Sequence, residues 1–447
     1  MKMLLVALAL FFLGAQQSRT VPVVLISIDG LMPEQLLNPD RHALKIPNLR
    51  RLVAEGTHAA GVKGVLPTVT YPSHTTMVTG VAPAKHGIHA NTPFDPFGKN
   101  LDGWYWYAED IKVETLWDVL RKSGMTSASV DWPVSVGAPI DFNIAQYWRA
   151  GLAEDVKVIR ALSTPGLLAE AQRATGASYP DGNDYTVAAD ERRAAFNTFI
   201  LERKRPRFMT VYFSGLDHTQ HETTAGSEES RQALEAIDGL VGKVRAAAES
   251  AGGGRAVICV VSDHGFARTE RELHLNSALR EAGLIRLDEA GKVAAWEAFS
   301  WNSGGLGAIM LRNTQDTNVR DRVREVLQKL ANDASRPVHR IVEGPEAAAM
   351  GGFPNAAFVL GLRPPFRTGS EPRGPVIREG RVRGTHGYLP ELPEMNSSLV
   401  LHGPGVPAGR SLGIVDMRDI APTLAGLLGV KLPAADGRNL LAGGKRE

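Results

Sequence analysis

Cysteine is almost missing. Cys259 is the only one in 447 residues. A single cysteine forms no internal disulfide, so the core must stabilise the chain unaided, even in an oxidising compartment. Cys259 lies in the apolar run AVICVVSD, which suits a small buried hydrophobe. A dominant charge is missing too. Fifty Lys and Arg against 48 Asp and Glu leave a net charge of +2, with no long run of one sign. That removes the electrostatic case for nucleic acid as a partner. No repeat, low-complexity tract or membrane-length apolar segment appears. The one apolar terminal run, Met3 to Leu13, follows Lys2 and precedes Gly14 and Ala15. It is too short to span a bilayer and reads as a secretory signal over residues 1–19. A buried first strand is the alternative. The signal reading makes the protein exported, periplasmic or secreted, with no transmembrane anchor after cleavage. No cysteine stands where a lipid anchor would need one.

What is present is an ordinary globular composition, 43% hydrophobic and 22% charged. VPVVLISIDG is a nearly continuous β-branched run ending at Asp29-Gly30, as expected of a strand covered on both faces. PRFMTVYFSGLD and GRAVICVVSDHG repeat the design and end at Asp217 and Asp263; MTSASVDWP is a weaker version ending near Asp131. Helical patterns lie between, in IPNLRRLVAEG, ETLWDVLRKSG and ESRQALEAIDGLVGKVRAAAESAG. Alternation of this kind predicts an α/β fold, a doubly wound and mostly parallel sheet flanked by helices. From about 305 to 365 the pattern reads strand, helix, strand, strand. This is the core of a small α+β insertion expected over about 270–380, within a catalytic domain running from 20 to 447. GLRPPFRTGSEPRGP reads as a loop.

Ligands of doubly wound sheets bind beyond the carboxyl ends of the strands. Asp29, Asp217 and Asp263 are expected at that edge, with His221 in LDHTQHE, His264 in SDHG and His386 in the glycine-flanked GTHGYLP. Each alone also suits a turn, a helix start or a loop. Together, buried carboxylates without cations would repel and take up protons. Mixed Asp and His sets suit zinc, usually four-coordinate, so six ligands overfill one site and fit two. Paired metal ions are a known device for phosphoryl displacement. The stretch VLPTVTYPSHTTMVTG crowds hydroxyls around one helix start. Pro72 suits the first helical position and Gly80 the end. The residues just before Pro72 would then lie at a helix N-terminus, which attracts anions.

These pieces resemble a known family. ISIDG, PTVTYPSHTTMVTGVAPAKHGI, ANTPF, DHTQH, VSDHG and GTHGYLP, in this order from about 20 to 435, are similar to the alkaline phosphatase superfamily. Within it they resemble the nucleotide pyrophosphatase/phosphodiesterase branch. The resemblance implies an alkaline-phosphatase-like fold and Thr70 as nucleophile. It implies two Zn2+ ions, one held by Asp29, Thr70, Asp263 and His264, the other by Asp217, His221 and His386. It implies Asn91, with the Thr70 backbone N–H, as the holder of a non-bridging phosphoryl oxygen. Tyr71 takes the place of an aromatic residue that stacks a substrate base, although plain packing suits it as well. Thr68, Ser73, Thr75, Thr76 and Thr79 remain capping or packing residues. Ser73 stands where the family usually has Asn.

The implied activity is hydrolysis of a small phosphodiester or nucleotide through a phosphothreonyl intermediate. Monoesterases with this core add a Lys-x-Arg pair downstream of the Asn; the comparable SVDWPVSVGAPIDFNIAQYWRAG has none, and Arg149 is its only basic residue short of the closing Ala-Gly. DWPVS is similar to a diesterase segment instead. A phosphomonoesterase or phosphonate hydrolase is the alternative enzyme. A metal-dependent binding protein without turnover is the alternative outside enzymes. Sulfatases are disfavoured because TYPSH lacks their Arg.

Overall fold

The computed structural model describes residues 20–100, 103–149, 154–180, 182 and 184–442. The expected signal segment, 1–19, lies outside the described residues.

The strand Val23–Ile28 is buried along its whole length and explains the architecture. Successive side chains of a strand point to opposite faces. Val24, Ile26 and Ile28 accordingly enter one apolar cluster with Leu234, Ile237 and Val241 of the helix Glu228–Ala251. Val23 and Leu25 enter the other, with Met77, Trp117, Ile420 and Leu424. A strand apolar on both faces needs cover on both, and helices supply it. Each such side chain contributes about 1.5–3 kcal/mol on full burial.

This strand is central in an eight-stranded sheet. Val257–Val261 pairs parallel on one side and Phe208–Phe213 on the other; Ser127–Val130 and Phe142–Ile144 continue parallel beyond. Leu399–His402 adds to Val257–Val261 antiparallel, followed by the short edges Thr57–His58 and Arg410–Ser411. The doubly wound, mostly parallel sheet is therefore as expected. Within 305–365 stand the strand Leu306–Leu311, the helix Thr317–Ala331 and the strands Val338–Glu343 and Ala356–Leu362. The three strands and Ala298–Ser303 form a separate antiparallel sheet.

One segment differs from expectation. Inside GLRPPFRTGSEPRGP, residues Phe366–Thr368 are a strand. They pair with Ala267–Leu273, which also pairs with Ile377–Thr385. Prolines and glycines around a three-residue strand hide it from any periodicity. Long-range pairing creates it, and this small sheet delivers His386 immediately after Thr385.

Candidate active site

The parallel strands end on one edge. Asp29 follows Ile28 directly, and its backbone N–H donates to the Phe213 carbonyl (2.9 Å). Asp263 and His264 follow Val261 after one serine. Asp217 and His221 sit one turn apart on the helix Gly215–Glu222, which begins two residues after Phe213. A spacing of four residues places both on one helix face.

The carboxylates and imidazoles converge. His264 Nε2 lies 3.1 Å from Asp263 Oδ2 and 3.3 Å from Asp29 Oδ1. Asp217 Oδ1 lies 3.5 Å from His221 Nε2 and 3.6 Å from His386 Nε2. Two ligand clusters can be picked out among the described residues: Asp29, Asp263 and His264, and Asp217, His264 and His386.

The donor chemistry fits metal ions. Each imidazole spends Nδ1 on a backbone carbonyl: His221 on Gly384 (3.1 Å), His264 on Gly265 (3.2 Å), His386 on Thr68 (3.2 Å). The N–H of each ring therefore sits on Nδ1, and the bare Nε2 lone pair faces the carboxylates. Asp29 Oδ1, Asp217 Oδ1 and Asp263 Oδ2 are buried without a hydrogen-bond partner. Lone pairs facing lone pairs in a buried place call for a cation. Burial, then the neighbouring carboxylates, pushes all three aspartates well above the usual carboxylate range. Burial lowers His221 to about 4 and holds His264 and His386 well below the ordinary imidazole value.

The crowded hydroxyls now separate. The helix runs Thr70–Thr79, so it starts two residues earlier than Pro72 suggests. Pro72 is tolerated because first-turn N–H groups need no intrahelical partner. Gly80 closes the helix at φ 72°, as expected. Thr68 donates to the Tyr388 carbonyl, Thr75 to Tyr71, Thr76 to Val81 and Thr79 to Thr75 (2.8–2.9 Å). Ser73 is buried and has no partner. Only Thr70 among these hydroxyls faces the acid-imidazole cluster, with Oγ1 3.5 Å from His264 Nε2.

Asn91 Oδ1 accepts the Tyr71 backbone N–H (2.9 Å). A backbone donor must meet the amide oxygen, so the Asn91 NH2 is left beside the Thr70 turn. Tyr71 is enclosed. It is 1% exposed, sits edge-on to Trp104 (5.1 Å) and Trp148 (6.3 Å), and donates its hydroxyl to Gln146 (2.7 Å). Stacking needs an open ring face, and this ring is enclosed. It packs.

Sequence reasoning missed several residues. His74 bonds the Thr70 carbonyl through Nδ1 (2.8 Å) and Ser27 through Nε2 (2.9 Å). Its spacing of four from Thr70 was the available signal. Tyr212 donates to Asp29 Oδ2 (2.5 Å) from inside a uniformly apolar strand, where nothing marks it. Arg149, the expected nearest cation, is engaged by Asp155 (3.8 Å). Arg383 and Arg367 are the cations felt at His221. Arg367 pairs with Glu272, whereas Arg383 has no ion pair among the described residues.

Residues 23–389 match the family described as Type I phosphodiesterase / nucleotide pyrophosphatase, and the chain belongs to that family. It is 23% identical to human bis(5'-adenosyl)-triphosphatase ENPP4 over 425 residues, covering 92% of this chain and 78% of that one. To human ectonucleotide pyrophosphatase/phosphodiesterase family member 1 it is 26% identical over 281 residues, 60% of this chain and 26% of that protein. Human ENPP5 superposes with a TM-score of 0.64 at 19% identity, over 92% of this chain and 95% of that one. Murine ENPP5, in an inactive threonine-to-alanine variant in complex with AMP, gives the same TM-score at 19% identity, over 94% and 97% of the two chains. The fold is thus the alkaline-phosphatase-like α/β fold. Among the described residues no helix is long and apolar enough to cross a membrane.

Proposed function

We propose that this chain is an exported two-zinc phosphodiesterase and nucleotide pyrophosphatase. In this reading residues 20–447 form one catalytic domain, and about 270–380 are its α+β insertion. The observation that carries it is the Thr70 hydroxyl beside a buried set of unpaired carboxylate oxygens and bare imidazole nitrogens. Asp29, Thr70, Asp263 and His264 would hold one zinc; Asp217, His221 and His386 the other. Zinc bound there supplies positive charge and Lewis acidity to the threonine and phosphoryl oxygens.

The protein's own groups do the rest. Thr70 Oγ1 attacks phosphorus as the bond from phosphorus to the leaving oxygen breaks, giving a phosphothreonyl intermediate. Water then attacks phosphorus and Thr70 regains its hydroxyl; net, one water is consumed. The Asn91 NH2, oriented because the Tyr71 N–H donates to Asn91 Oδ1, and the Thr70 backbone N–H receive a non-bridging oxygen. One such donor contributes about 3 kcal/mol to the transition state. His74, bonded to the Thr70 carbonyl, holds the turn. Nucleotide substrates are supported by the names of the relatives, and export by the Met3–Leu13 run.

A phosphomonoesterase reading has one observation in its favour, Arg383, which bears on His221 and has no ion pair among the described residues. Turnover of an aryl phosphodiester, an aryl phosphomonoester and a dinucleoside polyphosphate with added zinc decides between the readings. Acid quench and mass analysis of the Thr70 peptide tests the intermediate. No adduct and no turnover of any of the three would favour a binding protein.

A further inference from the structure

The helix Gly215–Glu222 carries Asp217 and His221, yet nothing on that helix caps its start. Ser214 precedes it with no side-chain cap, and its hydroxyl has no partner. The cap comes from another helix, Val187–Lys204. Asp190 Oδ2 accepts the Gly215 N–H (2.8 Å) and Oδ1 the Ser214 N–H (3.2 Å). The approach is close enough that a Cβ on Gly215 would meet Asp190 Oδ2 at 2.9 Å and the Val187 nitrogen at 2.9 Å.

Asp190 is itself held. Arg193 Nη1 lies 3.2 Å from Asp190 Oδ1, Nε 2.8 Å from Asp131 Oδ2, and Nη2 donates to the Asp184 carbonyl (2.8 Å). Asp131, Asp190 and Arg193 are all at most 1% exposed. Asp131 follows the strand Ser127–Val130 at φ 60°, a backbone region costly for a residue with a Cβ. Gln146, whose presence beside Asp131 lowers that carboxyl against the rise from burial, accepts the hydroxyl of Tyr71, the residue next to Thr70. The buried ion pairs of Arg193 thus connect Asp131, at the end of its strand, to Asp190 at the start of the Asp217 helix.

Burying two carboxylates and a guanidinium costs several kcal/mol per ion before pairing, and well-packed apolar residues would often serve stability equally well. The arrangement is better explained by what it places. Arg193 donates from Nη1 to Asp190 and from Nη2 to the Asp184 carbonyl, while its Nε lies in an ion pair beside Asp131; Asp190, held by Nη1, aims the first backbone amides of the ligand helix.

We infer that Asp190 and Arg193 are positioning residues for the metal-ligand arm formed by Asp217 and His221. This rests on the two-zinc reading above. They touch neither metal nor substrate; they set where Asp217 and His221 point. Removing the cap should weaken one zinc position and spare the other, because Asp29, Asp263 and His264 follow different strands.

The test is zinc affinity of the purified chain, by competition with a chromogenic chelator, for wild type, Asp190→Asn and Arg193→Lys. Asn keeps the size but presents an amide NH2 to one backbone N–H. Lys keeps the charge but offers one nitrogen to the acceptors at Asp190 and Asp184 and to the Asp131 carboxylate. The expected result is two zinc ions in each, one bound at least tenfold more weakly in the variants and one unchanged. Cobalt(II) substitution should show an altered visible spectrum for that same ion. kcat should fall at limiting zinc and recover with excess zinc, with KM unchanged. Variants that bind both ions with wild-type affinity overturn the inference, even if their Tm falls. Insolubility of both variants assigns the network to folding alone and also overturns it. A wild type binding fewer than two zinc ions overturns the two-zinc reading itself, an outcome seen before any variant is compared.

Discussion

The imidazoles of His264 and His386 lie parallel, ring centroids 3.5 Å apart and planes 9° from each other. Two imidazolium ions could not rest this way in a buried place. Both rings are neutral, and burial holds both well below their ordinary pKa. With each Nδ1 bonded to a carbonyl, two bare nitrogens and three crowded carboxylates share one pocket of charge.

The first prediction concerns metal and pH. The three aspartates are raised well above the usual range in the metal-free protein, so they hold protons to higher pH than ordinary carboxylates. A cation must displace those protons. Zinc added to weakly buffered metal-free protein should release protons, and zinc affinity should rise with pH. For folding alone the sign is opposite. Raised carboxyls bind more protons folded than unfolded, so metal-free stability should fall as pH rises through their raised values. Tm against pH, with and without zinc, checks both signs. Active, purified protein with less than one zinc per chain would falsify the two-zinc site.

Thr70→Ala should lower turnover more than tenfold while leaving the fold intact, since it removes one hydroxyl at the edge of the cluster. Thr68→Ala and Thr75→Ala are the controls. Each loses a single hydrogen bond to a carbonyl, at a cost of about 1 kcal/mol in stability, and should stay active. A Thr70→Ala protein keeping more than a tenth of the wild-type rate would place the nucleophile elsewhere.

Charge selectivity follows from the cations available. A diester brings one negative charge to the reacting phosphorus and a monoester two, and the extra charge needs its own cation. Arg149 lies partly exposed beside Asp155 (3.8 Å), and no Lys-x-Arg pair stands downstream of Asn91 in the comparable segment. The aryl diester should therefore be favoured in kcat/KM by at least roughly tenfold, about 1.4 kcal/mol in barrier. Arg383→Ala should reduce the monoester rate and leave the diester rate within twofold. Equal rates on the two esters in wild type would transfer the assignment to a phosphomonoesterase.

Tyr71→Phe tests whether the Tyr71 hydroxyl serves stability or substrate. It keeps the ring and strands the Gln146 acceptor, which should cost about 1–3 kcal/mol in stability. KM for a nucleotide should not change. Thermal melts beside kinetics read the two effects separately; a raised KM at unchanged Tm would restore a substrate contact for Tyr71.

Much was legible because it is local. An apolar run closed by an acid declares a buried strand with a carboxylate at its edge, so Asp29, Asp217 and Asp263 could be placed from their own neighbourhoods, whereas Thr70 was singled out only by the family resemblance. Other features had no local mark. Phe366–Thr368 is a strand only because Ala267–Leu273 is beside it. The helix of Asp217 is capped by Asp190, which no short-range pattern connects to Gly215. Tyr71 packs because Trp104 and Trp148 close over it.

The division has a physical cause. Backbone propensity and hydrophobic periodicity act over a few residues, so they reveal which elements form and which chemical groups stand at their ends. Which hydroxyl is left without a carbonyl, which ring loses its open face and which carboxylate reaches a distant N–H depend on atoms brought within about 3 Å by packing. The sequence by itself determined the parallel sheet, the carboxylates and imidazoles at its edge and the family. Only the tertiary structure decided that Thr70 alone of the crowded helix-start hydroxyls faces the cluster, that Tyr71 is enclosed, and that Asp190 and Arg193 stand behind the helix of Asp217 and His221.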